Sequence, residues 1–219
     1  FYLQNLVSLN QYMKIFVGER YSYQANMRTR IDSMATVSRN AISVKGTAPS
    51  AEYLVLSPKA GLILQPNQQH SFYVSYANNF TANTGTDVAG NVLPASIIDQ
   101  YEIGTKHTFY QGRFTFNTAI YKIVNSHLAQ QAPFKLDGMT PNNDPTIKQL
   151  SGETTSNGFE MGFNGTLSKN CYFISGYSYN DIKFTNTNDT KGSNIEGETL
   201  VNAPKNTANL SIFYTIDRN

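Results

Sequence analysis

The chain has 219 residues, of which 15% are charged and 12% aromatic, and its formal net charge is +2. The charged fraction lies below the ~25% of typical soluble domains, and the small net charge argues against a nucleic-acid partner. The single cysteine, Cys171, excludes an internal disulfide and a four-cysteine zinc site. No apolar run approaches the ~18 residues that a transmembrane helix needs, whereas a membrane β-barrel needs only alternate apolar residues.

Apolar and polar residues alternate with a period of two in segments of about ten residues, which is typical of β-strands. The alternation predicts nine strands, at about 1–9, 12–23, 53–65, 71–78, 99–110, 113–124, 156–168, 171–184 and 207–216. Short turns and long polar loops follow one another strictly, and the first long loop is predicted at 24–52. All short turns should therefore lie at one end of the sheet, as in outer-membrane barrels with short periplasmic turns and long extracellular loops.

The two faces of each predicted strand differ in polarity. In the seventh strand Phe159, Met161 and Phe163 share one face, while Glu160 and Asn164 share the other. Alternation alone is equally typical of a secreted β-sandwich. The strand length favours a tilted membrane strand, because soluble strands usually have only ~5–6 residues. The predicted fold is thus all-β, an antiparallel transmembrane β-barrel segment.

Residues able to perform catalysis are scarce. The three histidines, at positions 70, 107 and 127, are well separated in the sequence and form no HxxxH pattern, so the sequence predicts no metal site. His70 falls in a short turn, where we expect it to be solvated. Glu102 and Glu160 should both face inwards. A glycosidase pair is conceivable, but a hydrogen bond or an ion pair on the wall, for example with Arg113, is the commoner use. We therefore predict that the chain is not an enzyme.

Seven short strings lie within the predicted strands or just before one, in a fixed order along the chain. They are Phe1-Tyr2-Leu3-Gln4-Asn5, Gly18-Glu19-Arg20-Tyr21, Ser57-Pro58-Lys59-Ala60-Gly61-Leu62, Tyr73-Val74-Ser75-Tyr76, Gln100-Tyr101-Glu102-Ile103-Gly104-Thr105-Lys106, Ser156-Asn157-Gly158-Phe159-Glu160-Met161 and Asn202-Ala203-Pro204-Lys205. Together they resemble the barrel of TonB-dependent siderophore receptors of the ferrichrome-receptor type. The resemblance covers essentially the whole chain.

This resemblance implies a barrel of about twenty-two strands, of which roughly nine are present in residues 1–219. The N-terminal plug domain, the TonB box and the C-terminal strands are absent, and with Phe1 in place of an initiator methionine we expect an internal fragment. The implied function is TonB-energised import of ferric siderophores across the bacterial outer membrane. The segment itself should bind no cofactor, and the ferric siderophore is the transported ligand. The implied partners are the siderophore, TonB, membrane lipid and lipopolysaccharide. Alternatives are a receptor for haem or cobalamin, a passive porin and a secreted β-sandwich adhesin.

A ferric chelate is bulky and often anionic, so aromatic and basic side chains at the extracellular mouth would suit its capture. The loop arginines could instead bind lipopolysaccharide phosphates or simply be solvated. The candidate ligand-binding residues are Tyr23, Arg28, Arg30, Arg39, Phe80, Tyr101 and Phe134.

Overall fold

The computed structural model describes residues 1–27, 30–37, 40–47, 51–187 and 195–216. Among these residues no helix could span a bilayer. The described residues form eleven β-strands: β1 Tyr2–Ser8, β2 Met13–Met27, β3 Arg30–Val37, β4 Asn40–Thr47, β5 Ala51–Asn67, β6 His70–Thr81, β7 Ser96–Phe109, β8 Phe114–Gln131, β9 Lys148–Ser168, β10 Cys171–Asn186 and β11 Asn206–Tyr214.

Nine of the eleven strands form one antiparallel sheet in the order β1-β2-β5-β6-β7-β8-β9-β10-β11. These are the nine strands that the alternation predicts. The prediction of a continuous loop over 24–52 is wrong, because β2 extends to Met27 and β3 and β4 pair as a separate antiparallel hairpin. In β3, Ile31, Ala35 and Val37 share one set of alternating positions, so a period-two signal is present in the sequence and the prediction of a loop did not use it.

The connections alternate in length, as predicted. Short turns join β1 to β2, β5 to β6, β7 to β8 and β9 to β10, and antiparallel pairing places all of them at one end of the sheet. Asparagines close two of these turns. Asn10 Oδ1 accepts hydrogen bonds from the backbone N–H groups of Tyr12 and Met13 at 2.8 and 2.9 Å. Asn67 Oδ1 accepts from those of Gln69 and His70, each at 2.9 Å. Asparagine is favoured here because its side chain replaces the backbone as acceptor.

The strand register sorts the side chains into an apolar face and a polar face. Val74, Ile103 and Ile120 are directly opposite one another on β6, β7 and β8, and their side chains are 51, 58 and 58% exposed. On the polar face, Glu102 is directly opposite Ser75 on β6 and Tyr121 on β8. A contiguous exposed apolar surface of this kind is typical of a surface that contacts something other than water.

A β-sandwich is contradicted by the packing. Within the described ranges, each strand contacts only its hydrogen-bonded neighbours, so no second sheet covers the apolar face. Leu210 and Ile212, which a sandwich would bury, are 66 and 63% exposed.

Aromatic side chains border the apolar face at its two ends. Near the short turns, Phe163 packs against Phe114 and Phe173 with ring centroids 6.0 and 5.1 Å apart. Towards the long loops, Tyr76 packs against Tyr101 at 5.3 Å and donates its hydroxyl to Asp99 at 2.7 Å. Two aromatic belts around an apolar band are the pattern of the membrane interfaces of a β-barrel.

Candidate ligand-binding site

The polar face carries two carboxylates, Glu102 on β7 and Glu160 on β9. Tyr73 donates its hydroxyl to Oε1 of Glu102 at 2.5 Å, and Gln100 donates Nε2 to Oε2 at 2.9 Å. Glu160 is exposed and lines the same shallow depression as Tyr73 and Glu102. In the described part of the chain, neither carboxylate forms an ion pair with a basic side chain. The predicted hydrogen bond on the wall is confirmed for Glu102, and both carboxylates remain available to a cationic partner.

The suggested ion pair with Arg113 is wrong. Arg113 lies in the short turn between β7 and β8, where its guanidinium donates to the carbonyl oxygens of Thr166 and Leu167 at 3.1 and 3.2 Å. It also lies over the ring of Phe114, 6.0 Å from the centroid. Arg113 therefore stabilises the turn and does not neutralise the carboxylates of the polar face.

Glycines opposite tyrosines shape the polar face around the carboxylates. Tyr73 is directly opposite Gly104, and Tyr121 is directly opposite Gly158. A Cβ atom added at either glycine would meet the tyrosine ring. Each ring thus lies flat over the neighbouring strand, which a larger residue would prevent. This packing directs the Tyr73 hydroxyl to Glu102.

At the other end of the sheet, hydrogen bonds join the long loops 82–95 and 132–147. The Thr86 N–H donates to the Thr146 carbonyl at 3.0 Å, and the Lys148 N–H donates to the Thr86 carbonyl at 2.8 Å. Asn83 donates Nδ2 to the carbonyls of Pro94 and His127 at 2.7 and 3.1 Å. The mouth of the sheet is thereby a connected structure and not a set of independent loops.

A tight turn in the loop 132–147 carries a charged acceptor. Hydrogen bonds to Asp137 from the Thr140 hydroxyl, and then from the backbone N–H groups of Met139 and Thr140, lower the pKa of this carboxyl to about 2. The two backbone bonds measure 3.0 and 2.8 Å. The turn is continued by a bridge between Phe134 and Pro141, so it fixes the position of Phe134.

Of the predicted ligand-binding residues, Phe134 and Phe80 lie at the long-loop end. Phe134 is 37% exposed and lies in the loop 132–147, where a ligand could reach it. Phe80 is half-buried against the small cluster around Tyr53 and Ala95. The Arg20 guanidinium lies over its ring at 5.7 Å and donates to Asn79 Oδ1 at 2.5 Å. Phe80 is therefore engaged in packing beneath the loops.

Tyr23 and Tyr101 lie on the apolar face. Tyr23 is directly opposite Leu54 and is 63% exposed, and Tyr101 is directly opposite Tyr76 and is 52% exposed. The position of Tyr101 follows from alternation, because its neighbour Glu102 is on the polar face. These two tyrosines belong to the aromatic belt, and sequence reasoning did not use the alternation to separate them from the ligand candidates.

The three arginines lie in the connection between β2 and β5. Arg28 and Arg39 lie outside the described residues. Arg30 begins β3, but its side chain is outside what the structure describes. Contact of any of the seven residues with a ligand stays a prediction.

Comparison with known proteins identifies the sheet. The family model described as "TonB dependent receptor-like, beta-barrel" matches residues 1–218. The chain belongs to this family. Its nine-stranded sheet is thus a segment of an outer-membrane β-barrel wall, and proteins of this family are receptors and transporters in the outer membrane of Gram-negative bacteria.

Relatives and solved structures agree with the family. The metal-pseudopaline receptor CntO of Pseudomonas aeruginosa UCBPP-PA14 is 28% identical over 213 residues, covering 97% of this chain and 27% of the receptor. The ferrioxamine B receptor of Salmonella typhimurium SL1344 is 25% identical over 219 residues, covering 99% of this chain and 27% of that protein. The chain therefore spans about a quarter of the length of these relatives.

The fold is shared with solved receptors. The alcaligin outer-membrane receptor FauA from Bordetella pertussis superimposes with a TM-score of 0.72 at 19% identity, covering 99% of this chain and 34% of that one. The ferripyoverdine receptor of Pseudomonas aeruginosa gives a TM-score of 0.71 at 17% identity, with coverages of 99 and 26%.

Proposed function

We propose that the chain is part of the wall of a TonB-energised outer-membrane receptor that imports ferric siderophores. The observation that carries the proposal is the division of one open sheet into an exposed apolar face and a polar face, within a family whose similar members are named as siderophore or metal-chelate receptors. An apolar outer face suits lipid, and a polar inner face suits a wide aqueous lumen.

The complete receptor in this proposal contains more than the present chain. In the described residues β1 and β11 each pair on one side only, and an unpaired strand edge is unstable in a bilayer. Further strands from the same protein would close the barrel. A plug domain and a TonB box would supply the gate and the link to TonB.

The polar face would then contact the plug. Glu102 and Glu160 are exposed or half-buried carboxylates without ion-pair partners among the described residues, so basic side chains of the plug are the expected partners. Replacing a carboxylate by its amide keeps the size and removes this charge. We expect Glu102→Gln to reduce retention of the plug in the barrel while the barrel still assembles. Asn117→Asp, which adds a charge to the same face, is the matched control.

In this proposal the ligand is bound first at the long-loop end of the sheet. Arg28, Arg30 and Arg39 would attract an anionic chelate, and Phe134 would provide a stacking surface. Tyr23 and Tyr101 are left out because they lie on the apolar face. The outer surface would contact membrane lipid and lipopolysaccharide. We infer no catalytic role and no nucleic-acid partner for the segment, which works as scaffold, lumen wall and ligand-capturing surface.

The function is tested by growth under metal limitation. A strain lacking the full-length receptor is compared with the complemented strain on individual hydroxamate, catecholate and carboxylate siderophores, each loaded with iron. Because one relative is named a metal-pseudopaline receptor, chelates of zinc and nickel are included. Rescue by one ferric siderophore supports the proposal. Rescue only by haem or cobalamin, or uptake that does not require TonB, contradicts it.

The capture residues are tested in the same strains. Exchanging Arg28, Arg30 and Arg39 together for glutamine should weaken binding of the active siderophore at least tenfold, since several charge-assisted hydrogen bonds are lost. Lys45→Gln removes one charge from the same connection and should have little effect. Equal binding by the triple variant and the unaltered receptor would refute the assignment.

A further inference from the structure

Two histidines that are far apart in the sequence meet on the apolar face. His70 begins β6 and is directly opposite His107 on β7. Their Nδ1 atoms are 2.8 Å apart, and their ring centroids are 5.0 Å apart at an interplanar angle of 61°. The expectation that His70 is merely solvated is therefore wrong, and the separation of His70 and His107 in the sequence does not extend to the folded sheet.

The separation of the two nitrogens matches one class of metal ion. Ligand nitrogens about 2.0 Å from an ion are about 2.8 Å apart when they subtend a right angle, and about 3.3 Å apart in a tetrahedron. Right-angled positions occur in square-planar and octahedral complexes, which Cu²⁺ and Ni²⁺ prefer with nitrogen ligands. The observed 2.8 Å, at which one ring is hydrogen-bonded to the other, is thus also the spacing that such an ion requires, whereas tetrahedral Zn²⁺ requires a wider one.

Aromatic rings on the same face and a closed turn hold the pair in place. The Phe72 ring lies 5.6 Å from His107, and the Phe109 ring lies 6.3 Å from each histidine. The turn before β6 is closed by Asn67, which accepts the His70 N–H at 2.9 Å. Both histidines lie next to short turns and are half-buried, so an ion could reach them from the aqueous side of the interface.

We propose that His70 and His107 form a two-nitrogen binding site for a divalent transition-metal ion of the Cu²⁺ or Ni²⁺ type, on the outer surface of the barrel near the short turns. In the part of the chain that is described, no group of three or more His, Cys, Asp or Glu side chains could hold a metal. Water or lipid phosphate oxygens complete the coordination. The site is on the opposite face from the lumen, so it is independent of the transported chelate and of the proposed function.

The test uses the full-length receptor in detergent micelles, stripped of metal and dialysed against buffered Cu²⁺. Bound copper is counted by mass spectrometry, and its nitrogen ligands are identified by electron paramagnetic resonance. Asparagine replaces His70 and His107, singly and together, because its amide can occupy the Nδ1 position and keep a hydrogen bond but is a poor copper ligand. His127→Asn is the matched control, since His127 lies at the other end of β8 with φ 59°, which asparagine tolerates.

The unaltered receptor and His127→Asn should bind one copper equivalent more than the other three variants. The electron paramagnetic resonance signal that these two proteins show and the other three variants lose should indicate two equatorial imidazole nitrogens. Each single variant should lose affinity by at least about tenfold, the lower limit seen even for groups that only orient a metal ligand. Heat-modified mobility on gels checks that each barrel is folded, and glutamine replaces asparagine if a variant fails to assemble. Equal copper content in all the folded proteins would show that the pair is only a hydrogen bond between two imidazoles, and would overturn the proposal.

Discussion

An arginine placed on the apolar face should destabilise the barrel more than an arginine placed on the polar face. Val74 is near the middle of β6, between the aromatic belts, and is 51% exposed. Its opposite neighbours, Leu62 on β5 and Ile103 on β7, provide neither charge nor hydrogen bonds. Val74→Arg therefore places a guanidinium in the hydrocarbon region. The expected cost is about 2–4 kcal/mol, the range for arginine near the midplane of a membrane barrel.

The adjacent residue gives a matched control. Ser75 lies on the polar face and is directly opposite Glu102. An arginine at Ser75 enters the aqueous lumen and gains a carboxylate neighbour, so Ser75→Arg should cost less than about 1 kcal/mol. The two variants have the same new side chain on adjacent residues of one strand. The difference between the two costs, about 1–4 kcal/mol or about 5- to 700-fold in the unfolding equilibrium, therefore reports which face the arginine is on.

The assay is denaturant unfolding of the full-length receptor in phospholipid vesicles. The free energy of unfolding is compared among the unaltered protein, Val74→Arg and Ser75→Arg, and the amount of heat-modifiable barrel in the outer membrane gives a second readout. Equal destabilisation by the two arginines, or the opposite order, would refute the assignment of lipid and lumen faces.

Two further changes test local features of the wall and the loops. Gly104→Ala should destabilise the barrel by about 1–3 kcal/mol, because the new methyl group meets the Tyr73 ring. Gly162→Ala is the control in thermal unfolding, since the atoms nearest to its added methyl group are 3.9 Å away. An equal decrease in melting temperature for the two variants would contradict this reason. The low pKa of Asp137 means that its hydrogen bonds stabilise the loop above the ordinary carboxyl pKa of 3.8 and are lost as the pH falls towards about 2. Hydrogen–deuterium exchange of the loop, corrected for intrinsic rates, should therefore be constant from pH 5 to 8 and accelerate only below about pH 4; acceleration between pH 7 and 5 would contradict the assignment.

The sheet was predictable from sequence because lipid and lumen impose opposite polarities on adjacent residues. The turn residues Asn10 and Asn67 were equally informative, since their side chains make the local hydrogen bonds that close short turns. The hairpin of β3 and β4 was missed although Ile31, Ala35 and Val37 share one set of alternating positions in β3. The polar residues between and around them favoured the interpretation of the whole segment as a loop.

Pairs that depend on register were harder to foresee. Tyr73 with Glu102 and His70 with His107 are 29 and 37 residues apart. A shift of one residue in the pairing of β6 and β7 would place the two members of each pair on opposite faces of the sheet. Alternation within one strand would have sufficed to place Tyr101 on the outside, because Glu102 was assigned to the inside, but the sequence analysis did not use it.

The division of the wall also explains why the membrane location is easier to infer than the ligand. Residence in the membrane is a property of many residues at once, and any of several apolar side chains at Val74 or Ile103 would satisfy it. Recognition of a chelate depends on a few side chains whose positions are set by contacts between loops, such as the bond from Thr86 to Thr146 that joins the loops 82–95 and 132–147. Such contacts leave no periodic pattern of residue types in the sequence. Ligand specificity should therefore change when these loops are exchanged between related receptors, while the energetic difference between arginine at position 74 and at position 75 should stay the same.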